Sequence, residues 1–221
     1  LRIQGANGGW GYYDFGGAYQ TQTGYMATSF TTATALLAVA EARKAGIEVP
    51  DTAVRSAVAF LRRLRTADKT YLYGYYAWKR PAIGYNRPKG SLGRAQSGNL
   101  ALRRFTQDVS DDDLRLGLDR LLEFHHFLEI GRGRPIPHEA WYYTAGYYFY
   151  YGHWHAAEVV RELPRAEQGR YWQELADVMV FTQNPDGSRM DFPMYGYHTF
   201  YGTAMAILTL LPAQAALAPE P

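Results

Sequence analysis

The stretch QNPDGSRMDFPMYGYHTFYGTAMAILTL, residues 183–210, leads from a polar Gly turn through an aromatic loop into a run of small and aliphatic residues. The same order occurs at the other end of the chain. There QGANGGWGYYDFGG, residues 4–17, is followed by TSFTTATALLAVAEA, residues 28–42. Two copies of one order predict an internal repeat, and the repeat decides the architecture.

The 221 residues suffice for one domain with a substantial core, and 47% hydrophobic with 20% charged content is that of a folded globular chain. A net charge of +2 gives no reason to expect nucleic acid as a partner. The basic residues Lys79, Arg80, Arg87, Lys89 and Arg94 read as a solvated loop. With no cysteine, disulfides, thiolate metal sites and a Cys nucleophile are excluded. No apolar run approaches the roughly 18 residues of a membrane span, so no transmembrane segment is expected.

Residues 29–44 are Ala-, Leu- and Thr-rich and stop before Gly46, which predicts a first helix with little polar surface. Residues 47–65 place Val54, Val58, Leu61 and Leu64 at helical spacing behind Pro50 and Asp51, which predicts a one-faced amphipathic second helix. The pair recurs as 92–105 with 110–128, and again as 138–163 with 166–183. Residues 199–211 open a fourth pair, which makes about seven helices.

Alternation of enclosed and one-faced helices predicts an all-α fold with an inner and an outer layer, an α/α toroid or an arc of one. An open superhelix of helix pairs is the competing arrangement. The expected domain is 1–212, with continuation upstream of residue 1 left open and a flexible tail at 213–221. Short inner-to-outer and long outer-to-inner connections predict that a site lies at the N-terminal ends of the inner helices.

Gln4, Gly8 and Trp10 fit a Q-x3-G-x-W pattern, Gln183 and Gly187 keep its first two positions with Arg189 for Trp, and Arg65, Lys69 and Tyr71 stand where a third copy belongs. This pattern resembles the QW repeat of the squalene cyclase and protein prenyltransferase superfamily. The resemblance implies an α/α toroid in which the Gln and the aromatic tie the end of an outer helix to the next loop. The family's catalytic signatures do not carry over. The nearest match to the cyclase D-x-D-D motif is Ser110-Asp111-Asp112-Asp113, which reads better as a helix N-cap. The zinc site of prenyltransferases has no Cys to complete it, and Arg115 stands at the last position of a D-D-x-x-D magnesium motif.

Among six histidines, His138 opens HEAWY, where Tyr142 replaces the second His of a zinc motif, so neither metal nor cofactor is expected. Asp14, Glu139, Asp186 and Asp191 fall in loops or at inner-helix starts, where they would converge with His138 and His198 on one rim. Asp186 also suits a plain turn before Gly187. Tyr143, Tyr147, Tyr151 and Trp154 recur at near one-turn intervals, and with Tyr197 they are the candidate ligand-binding aromatics. Two functions are weighed beside a pure interaction scaffold, in which the tyrosines fill a core and the outer surface does the work. One is a diverged domain that binds a hydrophobic or amphipathic ligand, isoprenoid-like or glycan, or a protein partner, in an aromatic cavity. The other is an enzyme, terpene cyclase-like or carbohydrate-active, with Asp14, Glu139, Asp191, His138 and His198 as its acids and bases.

Overall fold

The computed structural model describes residues 3–11, 27–74 and 82–218, and they form an all-α protein. Its helices are α1 (Ser29–Lys44), α2 (Asp51–Leu64), α3 (Leu92–Phe105), α4 (Asp111–Glu123), α5 (His125–Gly131), α6 (Phe149–Glu162), α7 (Arg165–Phe181) and α8 (Tyr197–Leu217). Among the described residues extended pairing is limited to the isolated bridges Thr28–Gly74 and Arg65–Tyr71.

Helices α1, α3, α6 and α8 pack in that order as one row, and α2, α4 and α7 back onto it. Helix α3 is central and almost wholly buried, from Leu92 to Leu102, which its small-residue composition permits. Gly93 of α3 and Gly152 of α6 face each other so closely that a Cβ on Gly152 would lie 2.7 Å from the Gly93 Cα. The outer helices bury one stripe each: Val54, Val58, Leu61 and Leu64 of α2, Leu114, Leu118 and Leu121 of α4, and Tyr171, Trp172, Leu175 and Met179 of α7.

Three turns join this framework, and all three share one hydrogen-bond pattern. In the first, Gly5 N–H donates to the Gly9 carbonyl and Gly8 N–H to the Gly5 carbonyl. In the second, Thr66 and Lys69 donate to Thr70 and Thr66, and in the third Asn184 and Gly187 donate to Ser188 and Asn184. The fifth residue of each turn is left-handed: Gly8 at φ 92°, Lys69 at 63° and Gly187 at 86°. Two positions later Trp10, Tyr71 and Arg189 are buried, at 8%, 0% and 5% exposure. Their N–H groups donate to a hydroxyl of the next helix or its first turn, Thr32, Ser91 and Thr203, at 3.0, 3.3 and 2.9 Å. Gln4 and Gln183 each close their turn by donating to the carbonyl four residues on, and Gln4 also reaches Ala53 of α2. Arg189, in the place of a Trp, donates its Nε to the Met179 carbonyl near the end of α7.

Several sequence expectations are corrected. The run 138–163 is not one helix: 138–148 form a loop with 3-10 turns at Trp141–Tyr143 and Gly146–Tyr148, and α6 starts at Phe149. His138, Tyr142 and Tyr143 adopt φ of 64°, 57° and 54°, and the Gly146 backbone lies against the Asp191 carbonyl, so a helix does not fit there. The run 110–128 breaks at Phe124 into α4 and α5, which raises seven helices to eight. The tail is helical to Leu217, because the Ala-rich stretch after Pro212 favours helix and buries Ala213. Ser110 caps α4 as expected, its hydroxyl accepting from Asp113 N–H while the Asp113 carboxylate accepts from Ser110 N–H. Helix α8 buries one face and exposes Phe200, Ile207, Leu208 and Leu211. It is the one helix among the described residues with the length and composition of a membrane span, at a mean hydropathy of 1.4. With one face packed on α6 and α7, it makes no clear span.

The turn pattern predicts opposite outcomes for two substitutions, read by urea unfolding. Gly8→Ala puts a Cβ into the Ser56 carbonyl at a left-handed position and lowers stability by about 2 kcal/mol. Lys69→Gly relieves its left-handed strain and leaves stability unchanged or higher by up to about 1 kcal/mol. Loss of stability in Lys69→Gly as large as that in Gly8→Ala would contradict the shared geometry.

Two buried histidines make the fold acid-sensitive. Burial pulls the pKa of His153 and of His155 down from 6.5 to about 3. The unfolded chain takes up these protons near pH 6.5 and the folded chain does not. Stability is therefore complete above 6.5 and falls between 6.5 and 3, by about 1.4 kcal/mol per pH unit for each group. Among the described residues neither ring nitrogen of His155 has a hydrogen-bond partner, so His155→Leu is expected to raise the urea midpoint at pH 5 and flatten the acid limb. An unchanged acid limb would refute this assignment.

Candidate functional site

A cavity of about 800 Å³ opens where the N-terminal halves of α1, α6 and α8 meet the loops that precede them. One wall is α1, with Phe30, Thr31, Thr34, Ala35 and Ala38. Tyr147, Tyr148 and Tyr151 form the second wall, and Phe192, Tyr195, Tyr197, His198 and Tyr201 the third. Helices α1 and α8 lie at opposite ends of the packed row, so the row bends around this space.

The aromatic walls are fixed edge to face. Phe30 meets Tyr148 at 5.1 Å, Tyr73 at 5.8 Å and Tyr151 at 6.1 Å between ring centroids. The Tyr151 hydroxyl is 2.9 Å from Thr34 Oγ1 and donates to the Phe30 carbonyl at 3.3 Å. Burial raises its pKa to about 12, so the phenol stays protonated. Behind Tyr73 and Tyr148 the buried Arg94 guanidinium lies 5.0 and 5.4 Å from the ring centroids and donates to the carbonyls of Gly90 and Tyr85.

Two histidines are held in different ways. His138 Nδ1 is 2.6 Å from the Tyr143 carbonyl, which can only accept, so Nδ1 carries the proton. Its Nε2 then accepts from the Tyr147 hydroxyl at 3.0 Å, and both ring nitrogens are occupied. Desolvation lowers the His138 pKa, against the Tyr143 hydrogen bond, which keeps the ring neutral at pH 7. His198 Nδ1 lies 3.1 Å from Asp191 Oδ1, and Asp191 Oδ2 accepts the Tyr150 N–H at 3.4 Å. Asp191 is fully buried and His198 is 6% exposed. Burial pushes the Asp191 carboxyl up, while the His198 hydrogen bond and the Tyr150 N–H pull it back.

The sequence candidates divide accordingly. Tyr147, Tyr151, Tyr197 and His198 line the cavity, Asp191 stands behind His198, and His138 backs Tyr147. Glu139 does not join them: its side chain is at the surface, 3.7 Å from Arg134. Tyr143 is 48% exposed and lines a separate depression with Trp141 and Tyr142. Trp154 packs against His155 with its ring tilted by 31° and is not part of the cavity wall. Its spacing from Tyr151 did not place it there, because three residues fall short of the roughly 3.6 of a full helical turn. Asp186 is a turn residue that accepts from Ser188. Asp14 lies outside the described residues. Sequence periodicity missed Phe30, Tyr73, Phe192 and Tyr201, whose only signal was aromatic density near the predicted inner-helix starts. Among the described residues no three His, Asp or Glu side chains converge as a metal-binding group.

Asp191 and His198 form the arrangement in which a buried carboxylate sets the tautomer of an imidazole that faces a cavity. No protein-family model and no curated protein matches this chain, and the site is therefore read from its geometry.

Proposed function

We propose that this chain is a repeat domain of the squalene cyclase and protein prenyltransferase type, an α/α toroid or an arc of one, that lacks the family's intact catalytic motifs. Its cavity binds a hydrophobic or amphipathic ligand, isoprenoid-like or glycan, or the aromatic side chain of a protein partner. The recurrence of one turn geometry ahead of three helices, α1, α3 and α8, supports the repeat. The observation that carries the ligand reading is the aromatic cavity of about 800 Å³, whose size is that of a small-molecule site and whose phenols supply a few polar contacts.

A second reading, an enzyme using acids and bases at the rim, is favoured by one observation, the buried carboxylate of Asp191 on His198. Glycoside hydrolysis by a carboxylate pair gains no support from Glu139, which is held at the surface by Arg134.

The test is mass spectrometry of the organic extract of purified protein. Wild type is expected to retain a ligand at near-stoichiometric amounts, and Phe30→Ala together with Tyr148→Ala, which remove the ring contacts of the wall, to lower retention about tenfold. Equal retention in wild type and variant would place the ligand elsewhere. An empty wild type that also fails to bind an added polyprenol or oligosaccharide would count against the cavity as a ligand site.

A further inference from the structure

We propose that the cavity is a proton-transfer site in which His198, oriented by Asp191, is the general base. The inference rests on the reading of the cavity as a ligand site and adds what the ligand must be: a neutral, largely apolar molecule with one activated proton, on a carbon next to a carbonyl or on oxygen.

Three observations carry this. Nδ1 of His198 is engaged by Asp191, so Nε2 is the ring nitrogen left to the cavity that His198 lines, and no protein group among the described residues bonds to it. His138 has no such nitrogen, since Tyr147 and the Tyr143 carbonyl occupy both. The ring is also fixed in orientation: Tyr197 stacks on it at 4.6 Å, Phe192 meets it edge-on at 5.1 Å and Tyr201 at 5.7 Å. A purely structural histidine needs neither an inward nitrogen nor a fully buried carboxylate behind it.

In the step, the Nε2 lone pair takes the proton. The electron pair of the broken C–H or O–H bond stays on the substrate as enolate or alkoxide, and the Asp191 carboxylate stabilises the imidazolium. Return of the proton to a different substrate atom completes an isomerisation without a co-reactant. A cationic substrate is disfavoured because Arg94 already places a positive charge behind Tyr73 and Tyr148, and an anionic one because the Asp191 carboxylate stands behind His198. Asp191 is a positioning residue and His198 the catalytic one. The charged and titratable groups facing the pair are Tyr195, Tyr197 and Tyr201 on the cavity side and Tyr150 and Arg132 beside Asp191.

The probe is 5-nitrobenzisoxazole, a flat neutral carbon acid. Loss of its C3 proton to a base forms a nitrile as the N–O bond breaks, and the released nitrophenolate absorbs visible light. Saturable turnover by the full chain is expected. His198→Ala and, as a second variant in case the first misfolds, His198→Gln are each expected to lower the rate about 100-fold. Asp191→Asn is expected to lower kcat about tenfold with KM unchanged, because the probe still binds while the ring is no longer held in its reactive orientation. The exposed His126→Ala is the control and leaves the rate unchanged. Probe that binds, by quenching of the intrinsic fluorescence, but turns over equally in wild type and the folded His198 variants overturns the base and leaves the ligand site standing. Probe that does not bind overturns the ligand site and this proposal together. An Asp191→Asn rate loss that appears in KM and leaves kcat unchanged would overturn the positioning role.

Discussion

The structure depends on the turn that precedes α1, α3 and α8. Its backbone closes on itself through two N–H···O=C bonds and passes through a left-handed residue. It then delivers a buried side chain whose N–H is taken by a Thr or Ser hydroxyl within or capping the following helix. Each of these bonds contributes only about 1 kcal/mol net, but leaving the buried N–H without a partner would cost more, so the hydroxyl fixes the register between turn and helix. The same contact recurs before α1, α3 and α8, made by the fourth residue of α1, the N-cap of α3 and the seventh residue of α8.

The fourth junction breaks the rule, and the break shapes the site. Between α4 and α6 the turn gives way to α5 and a loop with three left-handed residues other than glycine. That loop brings Tyr147 to the cavity wall with His138 behind it, and lays the Gly146 backbone against Asp191. Strained backbone costs about 1–3 kcal/mol per residue and persists where its surroundings hold it. The Asp191 carbonyl also accepts the Gly133 N–H, so the loop and the carboxylate segment fix each other.

The interior is more polar than its aromatic walls suggest. Arg94, Asp191, His153, His155 and His198 are all buried, yet only the Asp191–His198 pair is both hydrogen-bonded to a titratable partner and open to the cavity through its second member. Arg94 finds its partners in backbone carbonyls and in the faces of Tyr73 and Tyr148, and this holds the aromatic wall from behind. His155 lies between Tyr151 and Trp154 as a neutral ring, at a cost that appears as acid sensitivity.

The sequence by itself determined the helical class and the starts of α1, α2 and α3, because these follow from local periodicity and capping. Of the helices expected to be enclosed, α3 and α6 are, while α1 and α8 bury one face each. It also marked Gln4, Gly8, Gln183 and Gly187 as turn residues, since a left-handed position selects Gly. It could not show that Lys69 occupies the same position, because tertiary contacts there outweigh a strain of about 1 kcal/mol. Only the tertiary structure broke the tyrosine run at Phe149 and sent Glu139 and Tyr143 outward. It likewise joined Asp191, seven residues from His198 in the chain, to that ring. Periodicity states which face a residue occupies within its own helix. Which faces meet, and which nitrogen of a histidine is left to the cavity, is decided by the packing of elements far apart in sequence.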